Sequence, residues 1–129
     1  MYIHIDNLTT QCNVQVSEAL MRGPGSDLFD FIVDALVEFL KSNNLLEEAT
    51  IDHPYHLGFT FSFPTRQRSL DRAELTKWTK GYTCDGVEGE DIGQLLKTAI
   101  KKRPELNVEV SYYRFIHFLH NKLTIILER

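Results

Sequence analysis

The chain has 129 residues, enough for one domain and short for two. Hydrophobic residues make up 43% and charged residues 25%, the balance of a soluble globular chain, which excludes a collagen-like or low-complexity protein and wholesale disorder. A net charge of -4 and an isoelectric point near 5.7 argue against a general nucleic-acid binder, whose phosphate contacts need a surplus of lysine and arginine.

The opening Met1-Tyr2-Ile3-His4-Ile5-Asp6 has neither the basic n-region nor the apolar h-region of a secretory signal, so secretion is not expected. No run of about 18 apolar residues exists to span a membrane as a helix. Residues 2–16 mix β-branched and polar side chains in partial alternation, as in Asn13-Val14-Gln15-Val16, which predicts one or two short strands. Gly23-Pro24-Gly25 reads as a turn. Ser26 can then cap a helix by accepting from a free backbone N–H, with Asp27 and Asp30 at the positive end of its dipole. Leu28, Ile32, Ala35, Leu36 and Phe39 fall at helical spacing, so this helix should run to about Lys41 and stop at Ser42-Asn43-Asn44.

In residues 57–63 Leu57, Phe59, Phe61 and Phe63 alternate with Gly58, Thr60 and Ser62, a strand with one apolar face that Pro64 closes. A further strand is expected around residues 75–79. From Glu90 or Asp91 a second helix places Ile92, Leu95, Leu96, Ala99 and Ile100 on one face, with Lys101-Lys102-Arg103 at its negative end and Pro104 beyond. Asn107-Val108-Glu109-Val110 begins another strand. Strands alternating with two helices indicate an α/β layer architecture.

A compositional break follows near Ser111. Residues 1–110 hold 11 basic and 17 acidic side chains, whereas residues 111–129 hold three basic and one acidic among many aromatic and aliphatic groups. This tail suits an amphipathic helix, a strand filling the sheet, or an exposed segment that docks a partner, a second copy or a membrane surface. Cys12 and Cys84 are too few for a disulfide framework and read as reduced thiols of a cytoplasmic protein, with no histidine and aspartate context for a nucleophile. His117 and His120 could share a helical face, but no third ligand accompanies them and no metal site is assigned. His53 and His56 flank Pro54-Tyr55 in an expected loop.

Chemistry concentrates in residues 57–82. Leu57-Gly58-Phe59-Thr60-Phe61-Ser62-Phe63-Pro64, then Ser69-Leu70-Asp71, then Trp78-Thr79-Lys80-Gly81-Tyr82, resembles the sugar-binding signature of the hexokinase family. Leu28-Phe29-Asp30-Phe31-Ile32 is similar to that family's first small-domain helix, and Val87-Glu88-Gly89-Glu90-Asp91-Ile92 to its glucose-proximal loop. The resemblance is strongest over residues 20–110. It implies a partial actin-like ATPase (ribonuclease H-like) small domain over residues 1–110, a mixed sheet flanked by helices, with 111–129 a divergent tail. It also implies contacts to glucose or a related hexose from Ser62, Thr79 and Lys80, with Phe63 and Pro64 shaping the wall and Trp78 packing beneath. These types suit a ring of hydroxyls, since Ser62 and Thr79 can donate or accept and Lys80 donates only.

The sequence departs from the family where catalysis is expected. Glu90 stands where a histidine is common, while Asp91 matches and also suits a helix cap. The family's catalytic aspartate lies in an Asn-Asp-Thr triplet after the strand that Val108-Glu109-Val110 begins; here the chain continues Ser111-Tyr112-Tyr113-Arg114, with no acidic residue between Glu109 and Glu128. The family's Asp-x-Gly-Gly-Thr phosphate loop would lie upstream of Met1, and neither Gly23-Pro24-Gly25 nor Gly86-Val87-Glu88-Gly89 has the spacing or lysine of a P-loop. The expectation is therefore a sugar-binding domain of a magnesium-ATP-dependent hexose kinase, with no cofactor site of its own, weak hexose affinity and no activity alone. The alternative is a non-catalytic interaction or regulatory fragment that works through its tail.

Overall fold

Alternating phenylalanines make the strand around which the protein is organised. β3 (Tyr55–Phe61) buries Leu57, Phe59 and Phe61 completely. In the computed structural model, which describes residues 1–5, 11–114 and 123–128, β6 (Val108–Arg114) lies parallel on one side of β3 and β7 (Leu123–Glu128) antiparallel on the other. β7 also pairs in parallel with β1 (Tyr2–Ile5), whose far side carries the antiparallel β2 (Gln11–Asn13). The result is a five-stranded mixed sheet of order β2-β1-β7-β3-β6.

Register explains the core. Ile3, Ile125 and Phe59 form one row across three strands and Ile5, Leu127 and Leu57 the next, all fully buried. Side chains buried this deeply each contribute about 1.5–3 kcal/mol. α2 (Gly25–Ser42) adds Leu28, Phe29, Ile32, Val33, Leu36, Val37, Phe39 and Leu40, and α3 (Ile92–Lys101) adds Ile92, Leu96 and Ala99. The two helices are tied outside the core by Lys102 to Asp30 at 3.0 Å and by Arg103 to Asp34. A mixed sheet flanked by helices is the architecture that the family resemblance implied.

Several boundaries differ from the periodicity reading. Pro24, not Ser26, occupies the N-cap of α2. The helix starts early because the Gly25 amide is held by the Asp85 carbonyl at 2.9 Å, which docks its first turn on a distant loop. α1 (Glu18–Arg22), capped by the Ser17 hydroxyl at 3.2 Å, is too short to show an amphipathic period. The strand expected around residues 75–79 is displaced upstream into a hairpin, β4 (Thr65–Ser69) and β5 (Arg72–Leu75). Residues 76–79 are irregular: the Thr76 amide goes to the Pro64 carbonyl and the Trp78 amide to the Glu88 carboxylate rather than to a neighbouring strand. β3 starts before Leu57, so His56 lies in a strand rather than a loop, its Nδ1 2.9 Å from the Ser111 hydroxyl.

The break at Ser111 falls inside the edge strand β6, and further along the tail β7 is a strand at the centre of the sheet. Leu123, Ile125 and Leu127 are buried there. Truncating Ile125 to alanine should therefore destabilise the chain by about 2–5 kcal/mol in urea denaturation. A chain ending at Arg114 should lose its cooperative transition; an unchanged midpoint in either case would show that β7 does not hold the sheet.

Candidate functional site

Two stretches of chain meet beyond the end of β3. The first, Ser62-Phe63-Pro64, leaves that strand; the second, residues 76–82, returns from the β4–β5 hairpin. The Thr76 amide and hydroxyl both donate to the Pro64 carbonyl at 2.9 Å, closing the base of the hairpin and fixing where the second stretch begins.

An aromatic cluster joins the stretches. The Phe63 ring lies 4.7 Å from Phe61, 4.9 Å from Trp78 and 5.0 Å from Tyr82, the last two edge-on, while Trp78 and Tyr82 stack at 5.5 Å. Such pairs contribute about 0.5–1.5 kcal/mol each beyond area burial. The Trp78 indole donates to the Cys84 carbonyl at 2.8 Å, and the Cys84 thiol donates to the Leu20 carbonyl at 3.2 Å, anchoring the cluster against the end of α1. Burial pushes the Cys84 thiol and the Tyr82 phenol above their ordinary values.

Lys80 sits at the tip of the second stretch in a left-handed conformation, φ 60°, followed by Gly81 at φ 83°. With Tyr82 N–H donating to the Thr79 carbonyl at 3.1 Å, this is a tight turn of the kind that requires positive φ at both central residues. A lysine held there costs about 1–2 kcal/mol relative to ordinary backbone. The conformation delivers the ammonium to the first stretch: Lys80 Nζ donates to the Ser62 carbonyl at 2.7 Å and lies 5.4 Å above the Phe63 ring. Ser62 is itself buried, at 3% exposure, whereas Thr79 and Pro64 are half-buried.

Ser62, Lys80 and Phe63 are thus brought into direct contact, with Thr79 and Pro64 next to them in the chain, and Trp78 packs in the aromatic cluster. The five residues 62–64 and 79–80 carry two hydroxyls and an ammonium, the ammonium donating to the Ser62 carbonyl, and no carboxylate to take a proton. Sequence reasoning missed Glu88, whose Oε1 accepts the Trp78 amide proton at 2.9 Å. No sequence signal announces that bond, because it spans ten residues of mostly irregular chain.

The remaining candidates act structurally. Asp91 accepts the Gly93 amide at 3.1 Å as the cap of α3, and Glu90 is exposed while its carbonyl accepts from Leu75 at 3.2 Å. Gly25 cannot carry a side chain, because a Cβ would lie 2.1 Å from Val87 Cγ2. Gly86 and Gly89, at φ 75° and 82°, shape the turns of the loop that Gly25 meets. Cys12 is half-buried and Cys84 buried, both free. Among the described residues no three His, Cys, Asp or Glu side chains gather at metal-binding spacing, and no helix is long and apolar enough to cross a membrane. His117 and His120 lie outside the described residues.

Two outcomes follow from this geometry. Lys80→Gly should be about 1 kcal/mol more stable than Lys80→Ala in urea denaturation, since both lose the amine and only alanine keeps the left-handed strain. The raised Cys84 thiol contributes its full stability below the unfolded thiol value, near pH 8.5, and loses it as pH rises through the folded value. Urea midpoints should fall from about pH 8.5 upward, and Cys84→Ala should make that fall shallower.

Comparison with known proteins is consistent across sequence and structure. The family model described as Hexokinase matches residues 4–113. A hexokinase of Schistosoma mansoni is 46% identical over 89 residues, covering 69% of this chain and 18% of that protein. Human hexokinase-3 is 42% identical over 95 residues, covering 74% of this chain and 10% of that protein. The solved structure of Schistosoma mansoni hexokinase complexed with glucose superposes with a TM-score of 0.69 at 38% identity, over 83% of this chain and 22% of that one. The chain thus spans 18% and 10% of the length of these two curated relatives.

Proposed function

The chain belongs to the hexokinase family, and from that premise we propose that it is a hexose-binding domain whose ligand contacts come from Ser62, Thr79 and Lys80. The observation that carries this reading is the left-handed Lys80, whose ammonium meets the Ser62 backbone across 18 residues of sequence. Backbone strain of this kind persists where the surroundings over-determine it, and it clusters at ligand sites. Glucose bound in the Schistosoma mansoni hexokinase structure supports a hexose as the ligand class. Pro64 and the backbone of Phe63 form the wall, the Phe63 ring itself being buried at 3% exposure in the aromatic cluster that supports it.

Hexose phosphorylation needs a base for the sugar hydroxyl and donors that neutralise the transferred phosphoryl group. The residues present do not fit those tasks. Residues 110–127 contain no Asp or Glu. The glycines of the Gly25 and Gly86–Gly89 turns are taken up in joining α2 to the neighbouring loop rather than cradling an anion. Magnesium-ATP is accordingly assigned to the longer family members. The alternative, assembly through an exposed tail, is the less supported reading because Leu123, Ile125 and Leu127 are already inside the sheet.

Two hydroxyl hydrogen bonds and one charged one supply about 4 kcal/mol gross, so the affinity for glucose should be millimolar or weaker. Calorimetry should show saturable binding in that range that weakens at least fivefold in Ser62→Ala and in Lys80→Ala. A coupled assay of ADP release should show no glucose-dependent turnover by the pure chain. Turnover would overturn the inactivity, and the absence of any saturable hexose signal would overturn the ligand class.

A further inference from the structure

We propose that Glu88 is a positioning residue for the hexose site: its carboxylate holds the Trp78 backbone so that Thr79 and the left-handed Lys80 stay opposite Ser62. This deepens the hexose-binding reading and rests on it.

Residues 76–79 belong to no strand, so their backbone amides must find partners elsewhere. The Thr76 amide takes the Pro64 carbonyl at 2.9 Å. The Trp78 amide takes Glu88 Oε1 at 2.9 Å, a charge-assisted bond and therefore one of the stronger ones available. It is made one residue before Thr79, where the chain enters the turn that bends Lys80 into positive φ. A strained turn keeps its shape only if both flanks are fixed. Downstream the Tyr82 ring is held by Trp78 and Phe63; upstream the side-chain anchor is Glu88.

The carboxylate is itself delivered from a tied loop. Glu88 lies opposite Leu75 in a parallel bridge. The Gly89 amide donates to the Leu75 carbonyl at 2.7 Å, and the Leu75 amide to the Glu90 carbonyl at 3.2 Å. Gly89 at φ 82° allows the chain to turn back immediately after Glu88. Remove the carboxylate and the amide of Trp78, a residue only 7% exposed, loses its acceptor in partly buried surroundings. The backbone leading to Lys80 is then free to relax away from its strained geometry.

Glucose titration of the full chain, read by fluorescence of Trp78, the single tryptophan, tests this. Glu88→Ala should raise the glucose Kd about tenfold, the loss expected for a hydrogen bond to a charged group. Glu88→Gln keeps a carbonyl oxygen in place and should stay within about threefold of the parent, a charged acceptor being roughly twice as strong as a neutral one. Leu96→Ala, a core variant on α3, should lower stability yet leave Kd unchanged, which separates positioning from general loosening. Amide hydrogen exchange at Trp78 should be at least tenfold faster in Glu88→Ala alone. An unchanged Kd in Glu88→Ala, or Glu88→Gln as weak as Glu88→Ala, overturns the proposal. If the parent chain shows no saturable glucose signal, the hexose reading itself fails; faster exchange in Glu88→Ala would then leave Glu88 a clamp without a site, and equal exchange would remove even that role.

Discussion

The pairing of β7 with both β1 and β3 is the constraint on which the rest depends. Order β2-β1-β7-β3-β6 means that, without β7, the sheet separates into two pairs that share no hydrogen bonds. An isolated two-stranded pair is marginal in water, whereas a five-stranded sheet with one buried face supports a core. β7 meets this demand with alternation alone: Leu123, Ile125 and Leu127 enter the rows begun by Ile3, Ile5, Leu57, Phe59 and Phe61. A one-residue slip would send all three to the other face, so the register is strongly specified.

A rigid β3 is what the site requires. Its last buried phenylalanine, Phe61, packs on Phe63, which in turn touches Trp78, Tyr82 and the Lys80 ammonium. Rings with few torsions hold two stretches of irregular backbone at small entropic cost, and the Thr76 and Glu88 bonds fix what the rings leave loose. On that support the chain sustains a left-handed lysine, a conformation that local sequence alone disfavours. Elements that conflict with local preference and persist are the ones a fold keeps for a purpose.

Much was legible beforehand where periodicity is strong. The alternation of residues 57–63 announced β3, and the apolar stripes announced α2 and α3 within a few residues. The family resemblance, rather than any residue pattern, singles out Ser62, Thr79 and Lys80 and implies the ligand role proposed for them. What failed was local and contextual. Ser26 is a good cap by type, yet the Asp85 carbonyl captured Gly25 and moved the cap to Pro24. Leu75-Thr76-Lys77-Trp78-Thr79 has strand-forming residues, yet no neighbouring strand is there to receive the amides after Leu75.

By itself, then, the sequence determined the α/β pattern, the two amphipathic helices, the apolar face of β3, and the lack of any carboxylate in residues 110–127, because each depends only on residue type and spacing along the chain. Tertiary structure decided that the apolar tail supplies the central strand, that Lys80 adopts positive φ to reach the Ser62 carbonyl, and that Glu88 grips Trp78. Those outcomes rest on contacts between residues 10 to 18 apart, or at opposite ends of the chain. Which distant group satisfies a given amide or fills a given row is a matter of packing, and one-dimensional spacing carries no information about it.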